Sequence, residues 1–532
     1  MRRSARAAAV LGFGSFMVMG AAPAGAVVAP GFSDTLVASV GAPTALAFTP
    51  DGRLLITSQT GTLRVYQGGV LLPTPALTFS ASQICTNGER GLLGVAVDPN
   101  FATNNYIYLF YTFNKFANAC LVFNSAPVNR VSRFTLPATN VIDPATQLVL
   151  IDNMPSPASN HNAGDLQVGK DGHLYVSIGE GGIASAARDE HVLTGKVLRV
   201  ALPDGSIPAD NPFQGAGTER CNVNGFTDPG KRCQETFAWG LRNPFRLGFD
   251  PNAIGTRFFI NDVGSGTWEE IDLGQAGVDY GWNCREGAHA TGSCSSLPSM
   301  VDPLFEYQHG VQIPGTSSPT NCNCVSGGAF VPDGLWPGHD GVYFFGDCVC
   351  GGMFRLTQSG SVFSAADFAC GLGTLVHMRF GPHGATQALY YTTYAGGGQV
   401  RRITRDDPYD FFTLSPCRLA DTRNPNGPSG GPALQNGVTR DFPAAGLCGI
   451  PRTAKAMAVN VTAISPTGSG QLNVYPTGCL VPATGTLHFA AGQTRANSAV
   501  LAIGTSSQIA VLPTIAGGGT VHFVLDVLGY FE

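Results

Sequence analysis

The sequence predicts an all-β protein, a six-bladed β-propeller followed by a smaller β-sandwich. Three observations carry that expectation. A turn-and-strand unit recurs six times between Leu46 and Thr404, the pattern changes near residue 408, and the composition is rich in turn formers, with 69 Gly, 36 Pro and only 13% charged residues. Few charges and many glycines disfavour long surface helices and favour short strands joined by tight turns.

The N-terminus stands apart from the fold. Arg2, Arg3 and Arg6 precede a run of small apolar residues, Ala7 to Ala22, and Ala24-Gly25-Ala26 is a small-x-small cleavage pattern. Residues 1–26 read as a secretory signal peptide. The run is short for a membrane anchor, and no other apolar stretch is long enough to span a bilayer. The protein is expected to be secreted or held at the cell surface.

The repeated unit is an apolar-x-Pro-(Asp/His)-Gly turn, or a close variant, followed by an alternating strand. Its copies are LAFTPDGRLLITSQTGTLRVY from Leu46, VAVDPNFATNNYIYLFYTF from Val95 and LQVGKDGHLYVSIGEGG from Leu166. LGFDPNAIGTRFFINDVG follows from Leu247, GAFVPDGLWPGHDGVYFFGD from Gly328 and MRFGPHGATQALYYTTYAGGGQVRRIT from Met378. Asp-Gly and His-Gly supply tight turns between strands. Repeated four-stranded units of this kind pack radially, so six copies predict six blades over residues 27–405. The strand Asp34–Val40 is a candidate to close the ring. A linker with charge and proline, Arg405-Asp406-Asp407-Pro408, marks the boundary. From residue 409 to 532, alternating strands between Gly/Pro/Ser turns predict the sandwich, with the apolar stretch Val521–Phe531 as its central strand.

Fourteen cysteines behind an export signal predict disulfides. Local spacing suggests Cys85–Cys120, Cys221–Cys233, Cys284–Cys294 and Cys417–Cys448. The C-x-C pairs Cys322/Cys324 and Cys348/Cys350 would bridge each other or hold zinc. Eleven cysteines precede residue 410 and three follow it. Both counts are odd, so either one bridge joins the two parts, involving Cys370 or Cys479, or two thiols stay free. The formal charge is -5 with no Lys/Arg run, which argues against a nucleic-acid partner.

His161 lies in ASNHNAGDLQ, a stretch of small and polar residues just ahead of the third unit's first strand. Propeller ligands sit in the axial channel, so this imidazole is placed to act as a base at a pocket mouth. Six stretches in order then resemble the glucose/sorbosone dehydrogenase family: GERGLLGVAVDPNF (Gly88–Phe101), HNAGDLQVGKDGHLYVSIGEGG (His161–Gly182), TGKVLRV (Thr194–Val200), WGLRNPFRLGFDP (Trp239–Pro251), NDVGSGTWEEIDL (Asn261–Leu273) and DYGWN (Asp279–Asn283). These are secreted six-bladed propellers that include soluble sugar dehydrogenases using pyrroloquinoline quinone and calcium.

The resemblance implies that His161 is the catalytic base and that Glu180 orients it and stabilises its imidazolium. It implies that Arg242 and Asn243 contact the quinone, with Arg242 stabilising charge on reduction, and that Glu89 touches the base or the cofactor. The backbone carbonyls of Gly264 and Ser265 would hold a bridging Ca2+, completed or supported by Glu269 or Glu270. Read without the resemblance, Arg242-Asn243-Pro244 is a turn with a structural salt bridge, and one of Glu269 and Glu270 faces solvent by strand alternation.

The pattern departs from the family at its cations. The blade-five lysine position falls at Val349 and the blade-six arginine positions at Thr374 and Val376, with Arg379 nearby but offset. Two functions follow. One is an exported dehydrogenase oxidising an aldose hydroxyl to a lactone. The other is a non-catalytic extracellular propeller, similar to those of hedgehog-interacting proteins, that binds carbohydrate or protein. The tail resembles a β-rich module of exported bacterial proteins, carried by LSPCRLADTR, CGIP, AVNVTA and DVLGYF, and suggests surface attachment. Its Arg418, Asp421 and Arg423 are expected to form a structural ion pair, and Asn460-Val461-Thr462 an idle glycosylation pattern on a strand.

Overall fold

The strands of this chain are apolar on both faces, and successive side chains point to opposite sides of a sheet. In Leu92–Val97 and Tyr106–Phe113, Leu92 and Ile107 join one apolar cluster while Leu93 and Tyr108 join the next. Phe258 and Phe259 divide in the same way. A sheet built from such strands must cover both faces. The computed structural model, which describes residues 26–122, 126–295, 299–406 and 409–532, shows how. The signal-peptide reading falls on residues outside that description, apart from Ala26, as do Asp407 and Pro408 of the linker.

Six antiparallel sheets stand around an axis, and each buries one face on the sheet before it and the other on the sheet after it. Their innermost strands are Pro43–Phe48, Leu92–Val97, Leu166–Val168, Pro244–Phe249, Val325–Phe330 and Leu375–His383. One buried apolar cluster fills each of the six contacts between neighbouring blades, including the contact of the sixth with the first through Tyr390, Val400, Leu46 and Ile56. At about 25 cal/mol per Å² of apolar surface removed from water, this closure outweighs any single hydrogen-bonded feature of the ring. Closure is completed by the N-terminal strand, which pairs antiparallel with Gln399–Arg405 as the outer strand of blade six. It spans Phe32–Ser39, beginning two residues before the expected strand and ending one before. Val27–Val28 adds a fifth strand to blade five.

Residues 411–531 form two sheets packed around one core that includes Leu419, Met457, Val461, Leu472, Val511, Phe523 and Leu525. One sheet has the order Phe411–Asp421, Thr520–Phe531, Ala456–Ile464, Arg495–Ala502. The last strand is therefore internal, paired with Phe411–Asp421 on one side and Ala456–Ile464 on the other. Arg418 and Arg423 both pair with Asp421, at 3.2 and 2.6 Å, and Arg418 also reaches Asp526. Asn460 lies in mid-strand.

All fourteen cysteines are paired. The bridges are Cys85–Cys120, Cys221–Cys233, Cys284–Cys294, Cys322–Cys350, Cys324–Cys348, Cys417–Cys448 and Cys370–Cys479. The zinc alternative for the C-x-C pairs fails because those four sulfurs bond to one another, leaving no thiolate for a metal. Cys370–Cys479 explains the odd parity, since it ties blade five to the sandwich. No helix among the described residues is long and apolar enough to cross a membrane.

Candidate active site at one mouth of the propeller channel

The innermost strands of blades three and four begin at Leu166 and Pro244. The segments just ahead of them therefore reach the same end of the channel, and they bring His161 beside Arg242 and Asn243. His161 sits at φ 56°, a left-handed conformation uncommon for a residue with a side chain. Neighbours hold it there. Its N–H donates to Glu89 Oε2 at 2.8 Å, and its carbonyl accepts from Gly181 N–H at 3.2 Å. A Cβ at Gly179 would collide with that carbonyl, so only glycine lets the next strand pass so closely.

The ring is oriented by Glu180. His161 Nδ1 lies 2.6 Å from Glu180 Oε1, and Glu180 is buried, 3% exposed. A carboxylate accepts only, so Nδ1 carries the proton and Nε2 presents a lone pair. Nε2 makes no hydrogen bond with the described residues. Glu180 Oε2 is buried without a partner, so that carboxylate has no second ligand to draw it from the histidine. Glu180 N–H donates to Arg242 O at 2.9 Å, which couples the two halves of the site.

Arg242 makes no salt bridge among the described residues. Its Nη1 donates to Val263 O at 2.9 Å and its guanidinium lies 5.5 Å from the Trp282 ring centroid. That leaves its other donors available to an anion. The turn itself is held by Asp262, whose carboxylate accepts from the N–H groups of Arg242 and Asn243 at 2.8 and 2.6 Å. Burial pushes the Asp262 carboxyl up to about 7, against the opposing pull of those two donors. Asn243 is buried and its Oδ1 has no donor.

Beyond Asp262 the chain makes a tight loop at Gly264, where a Cβ would collide with the carbonyl oxygen of Trp268. Four successive N–H groups, of Ser265, Gly266, Thr267 and Trp268, converge on Glu286 Oε1 at 2.7 to 3.2 Å. These bonds hold the Glu286 carboxyl below its usual range despite partial burial. Glu269 and Glu270 are both buried, at 0% and 7% exposure, so neither faces solvent as strand alternation alone suggested. Glu269 is occupied by His309 Nε2 at 2.7 Å and by the N–H groups of Val325 and Gly264. Its partner His309 is held above the usual histidine range by that carboxylate.

Glu270 points to the opposite face. Asp262, Glu270 and Glu306 stand side by side across three strands, and Asp272 lies two residues along on the same face. Burial and then mutual repulsion push Glu270 and Asp272 well above the carboxylate range. Both Asp272 oxygens lack a partner, and Glu270 makes no side-chain hydrogen bond with the described residues. Buried carboxylates without donors are costly in their charged form, which is why both shift upward.

The family model described as Glucose / Sorbosone dehydrogenase matches residues 40–385. The chain belongs to that family. Quinoprotein glucose dehydrogenase B of Acinetobacter calcoaceticus is 28% identical over 351 residues, covering 60% of this chain and 67% of that protein. The HIPL2 protein of Arabidopsis thaliana is 26% identical over 402 residues, covering 64% of this chain and 55% of the plant protein. The chain thus spans about half the length of that relative. The structure of the soluble aldose sugar dehydrogenase of Escherichia coli, apo-form, superposes with a TM-score of 0.56 at 24% identity, over 70% of this chain and 99% of that one, which shows the propeller fold.

Family membership sharpens the cation question. Val349 is 52% exposed on the turn between strands Tyr343–Asp347 and Gly352–Ser359, flanked by the Cys324–Cys348 and Cys322–Cys350 bridges. Thr374 is exposed, and Val376 is buried with its carbonyl accepting from Arg246. Arg379 does not replace the absent cations. It lies further along Leu375–His383, toward the opposite mouth. Arg242 and Asn243 are the groups here that could hold a quinone, and Val349, Thr374 and Val376 would add no cation to it.

Sequence reasoning placed His161, Glu180, Glu89, Arg242 and Asn243 together, and the structure brings them together. It passed over Asp262, Asp272, Trp282 and Glu286. The first three lie inside the quoted family motifs, but nothing in their spacing tells that Asp262 receives a turn or that Asp272 lacks a donor.

Proposed function

We propose that the protein is an exported quinone-dependent dehydrogenase that oxidises the anomeric hydroxyl of an aldose to a lactone. The observation that carries this reading is the His161–Glu180 pair, with Nδ1 tied at 2.6 Å and Nε2 left free. Family membership supports the sugar as substrate class, and seven disulfides support an oxidising, extracellular compartment.

His161 Nε2 would take the proton of the sugar hydroxyl as hydride leaves the same carbon, and the C–O bond becomes a carbonyl. Glu180, buried behind the ring, would stabilise the imidazolium that forms and keep the ring in the tautomer that accepts at Nε2. Arg242 and Asn243 would hold pyrroloquinoline quinone, and Glu89 would fix the His161 backbone beneath it. When bound, the quinone supplies the hydride acceptor. The Gly264 and Ser265 carbonyls would be the ligands of a Ca2+ at this site.

The test is reconstitution with the quinone and calcium, followed by absorbance and by dye reduction over an aldose panel. A red-shifted quinone band and aldose-dependent dye reduction are expected. No spectral change at saturating quinone would overturn the proposal. A second reading rests on Val349, Thr374 and Val376. A channel mouth neutral at these positions also suits a non-catalytic extracellular propeller that binds carbohydrate or protein, and this reading predicts aldose binding with neither quinone binding nor turnover.

A further inference from the structure

A second charged cluster lies inside the channel, past the catalytic mouth. Asp165, Arg246, His377 and Arg379 lie on the innermost strands or immediately ahead of them, below the catalytic mouth. Their charges do not balance. Asp165 is wholly buried, and the neighbouring His377 and the two guanidiniums hold its carboxyl down at about 2 against its burial, so it is ionised. His377, 3.7 Å from it, is pushed down to about 4 by burial and is neutral at neutral pH. That leaves one carboxylate against two guanidiniums.

Arg246 is satisfied without that carboxylate, donating to the carbonyls of Val376, Phe245 and Thr44 at 3.2, 2.9 and 2.8 Å. Asp165 Oδ2 accepts from the N–H of Leu247 at 2.9 Å and, more weakly, from Gln167, while its Oδ1 makes no hydrogen bond and faces the His377 ring rather than Arg379. Arg379 makes no hydrogen bond with the described residues, and its Nη2 is buried without an acceptor. A guanidinium has five donors and cannot lose its proton, and this one is half-buried, so an anion set against it would gain charge-assisted hydrogen bonds that the protein leaves unmade.

Arg379 borders a cavity of about 240 Å³ at the finishing ends of the innermost strands. Leu247, Phe249, Phe330, Met378 and Phe380 supply apolar walls, and Gln387 stands at the rim. A cleft that sets several apolar side chains beside one convergent cation is the ordinary form of a small-ligand site. We infer that this far mouth binds a small organic carboxylate with an apolar body, its carboxylate paired with Arg379. The site is separate from the His161 dyad and does not depend on the proposed oxidation.

The experiment is calorimetric titration of the full-length protein, free of quinone, with benzoate as the probe and with chloride as the bare-anion control. Saturable one-to-one binding of benzoate is expected, with chloride at least tenfold weaker because it leaves the apolar walls in water. Arg379→Met should weaken benzoate about ten- to a hundredfold, the scale of a charge-assisted bidentate contact. Gln387→Trp, at an exposed position, should block the rim without disturbing the core, and serves if the arginine variant fails to fold. His161→Asn should bind benzoate as the parent does. Absence of saturable benzoate binding, equal affinity for chloride, or parent-like affinity in a folded Arg379→Met or in Gln387→Trp would overturn the assignment.

Discussion

Replacing Glu180 by Gln isolates what its charge contributes. The carboxylate is buried and its one side-chain partner is His161 Nδ1 at 2.6 Å. A unit charge about 4 Å from the imidazolium contributes about 4 kcal/mol at an effective dielectric of 20. The neutral amide keeps a hydrogen bond of about 1 kcal/mol through its oxygen. The net loss on forming the imidazolium is then roughly 2–3 kcal/mol, or about 30- to 200-fold in kcat. KM should hold, because Glu180 lies behind the ring and does not face substrate. The amide NH2 would enter the position of Oε2, which has no acceptor. If instead the NH2 faces Nδ1, the proton moves to Nε2 and turnover falls further. The assay is steady-state dye reduction by the quinone- and calcium-loaded enzyme, with thermal unfolding run alongside. A folded Glu180→Gln protein with kcat within threefold of the parent would refute the base assignment for the pair.

His161→Ala should lose about a hundred- to ten-thousandfold in turnover while quinone titration gives an unchanged affinity; a twofold change in turnover would make His161 a mere loop residue. Chelation of divalent ions should lower the melting temperature of the parent and added calcium should restore it; a melting temperature indifferent to both would argue against a bound Ca2+. Asp262 is raised to about 7 from an unfolded value near 3.8, so the folded protein binds the extra proton between those values and this group's stabilisation is lost as pH rises from about 4 to 7. Urea unfolding of the parent and of Asp262→Asn across that window should show the parent losing stability relative to the variant, and a constant difference would contradict the burial argument. Cys370→Ser removes a link between residues 109 apart, worth about 4–5 kcal/mol by chain entropy. A Cys370→Ser form of residues 27–405 should still fold and keep any quinone binding, because its six blades close on their own N-terminal strand; an insoluble fragment would place part of its core in the sandwich.

The ring, and the placing of His161 at its mouth, were legible in the amino-acid order alone. Six recurrent turn-and-strand units, apolar at alternate and intervening positions alike, leave strands no exposed face, and radial packing is the arrangement that buries both. Local chemistry also reads directly: His161 in a stretch of small residues, Glu180 behind a glycine, and an odd cysteine on each side of residue 410 each follow from composition and order. What the tertiary structure decided is which polar groups are satisfied. Glu269 and Glu270 are neighbours with the same side chain, yet one is tied to His309 and the other stands beside the unpartnered Asp272. Alternation sends them to opposite faces, and the strands found there set their fate. Arg379 reads as a near-substitute for a missing cofactor cation, but its position along the innermost strand carries it to the opposite mouth, where it has no acceptor. Burial and pairing depend on residues distant in the chain, so a one-dimensional pattern names the charges while the folded ring fixes which of them remain uncompensated.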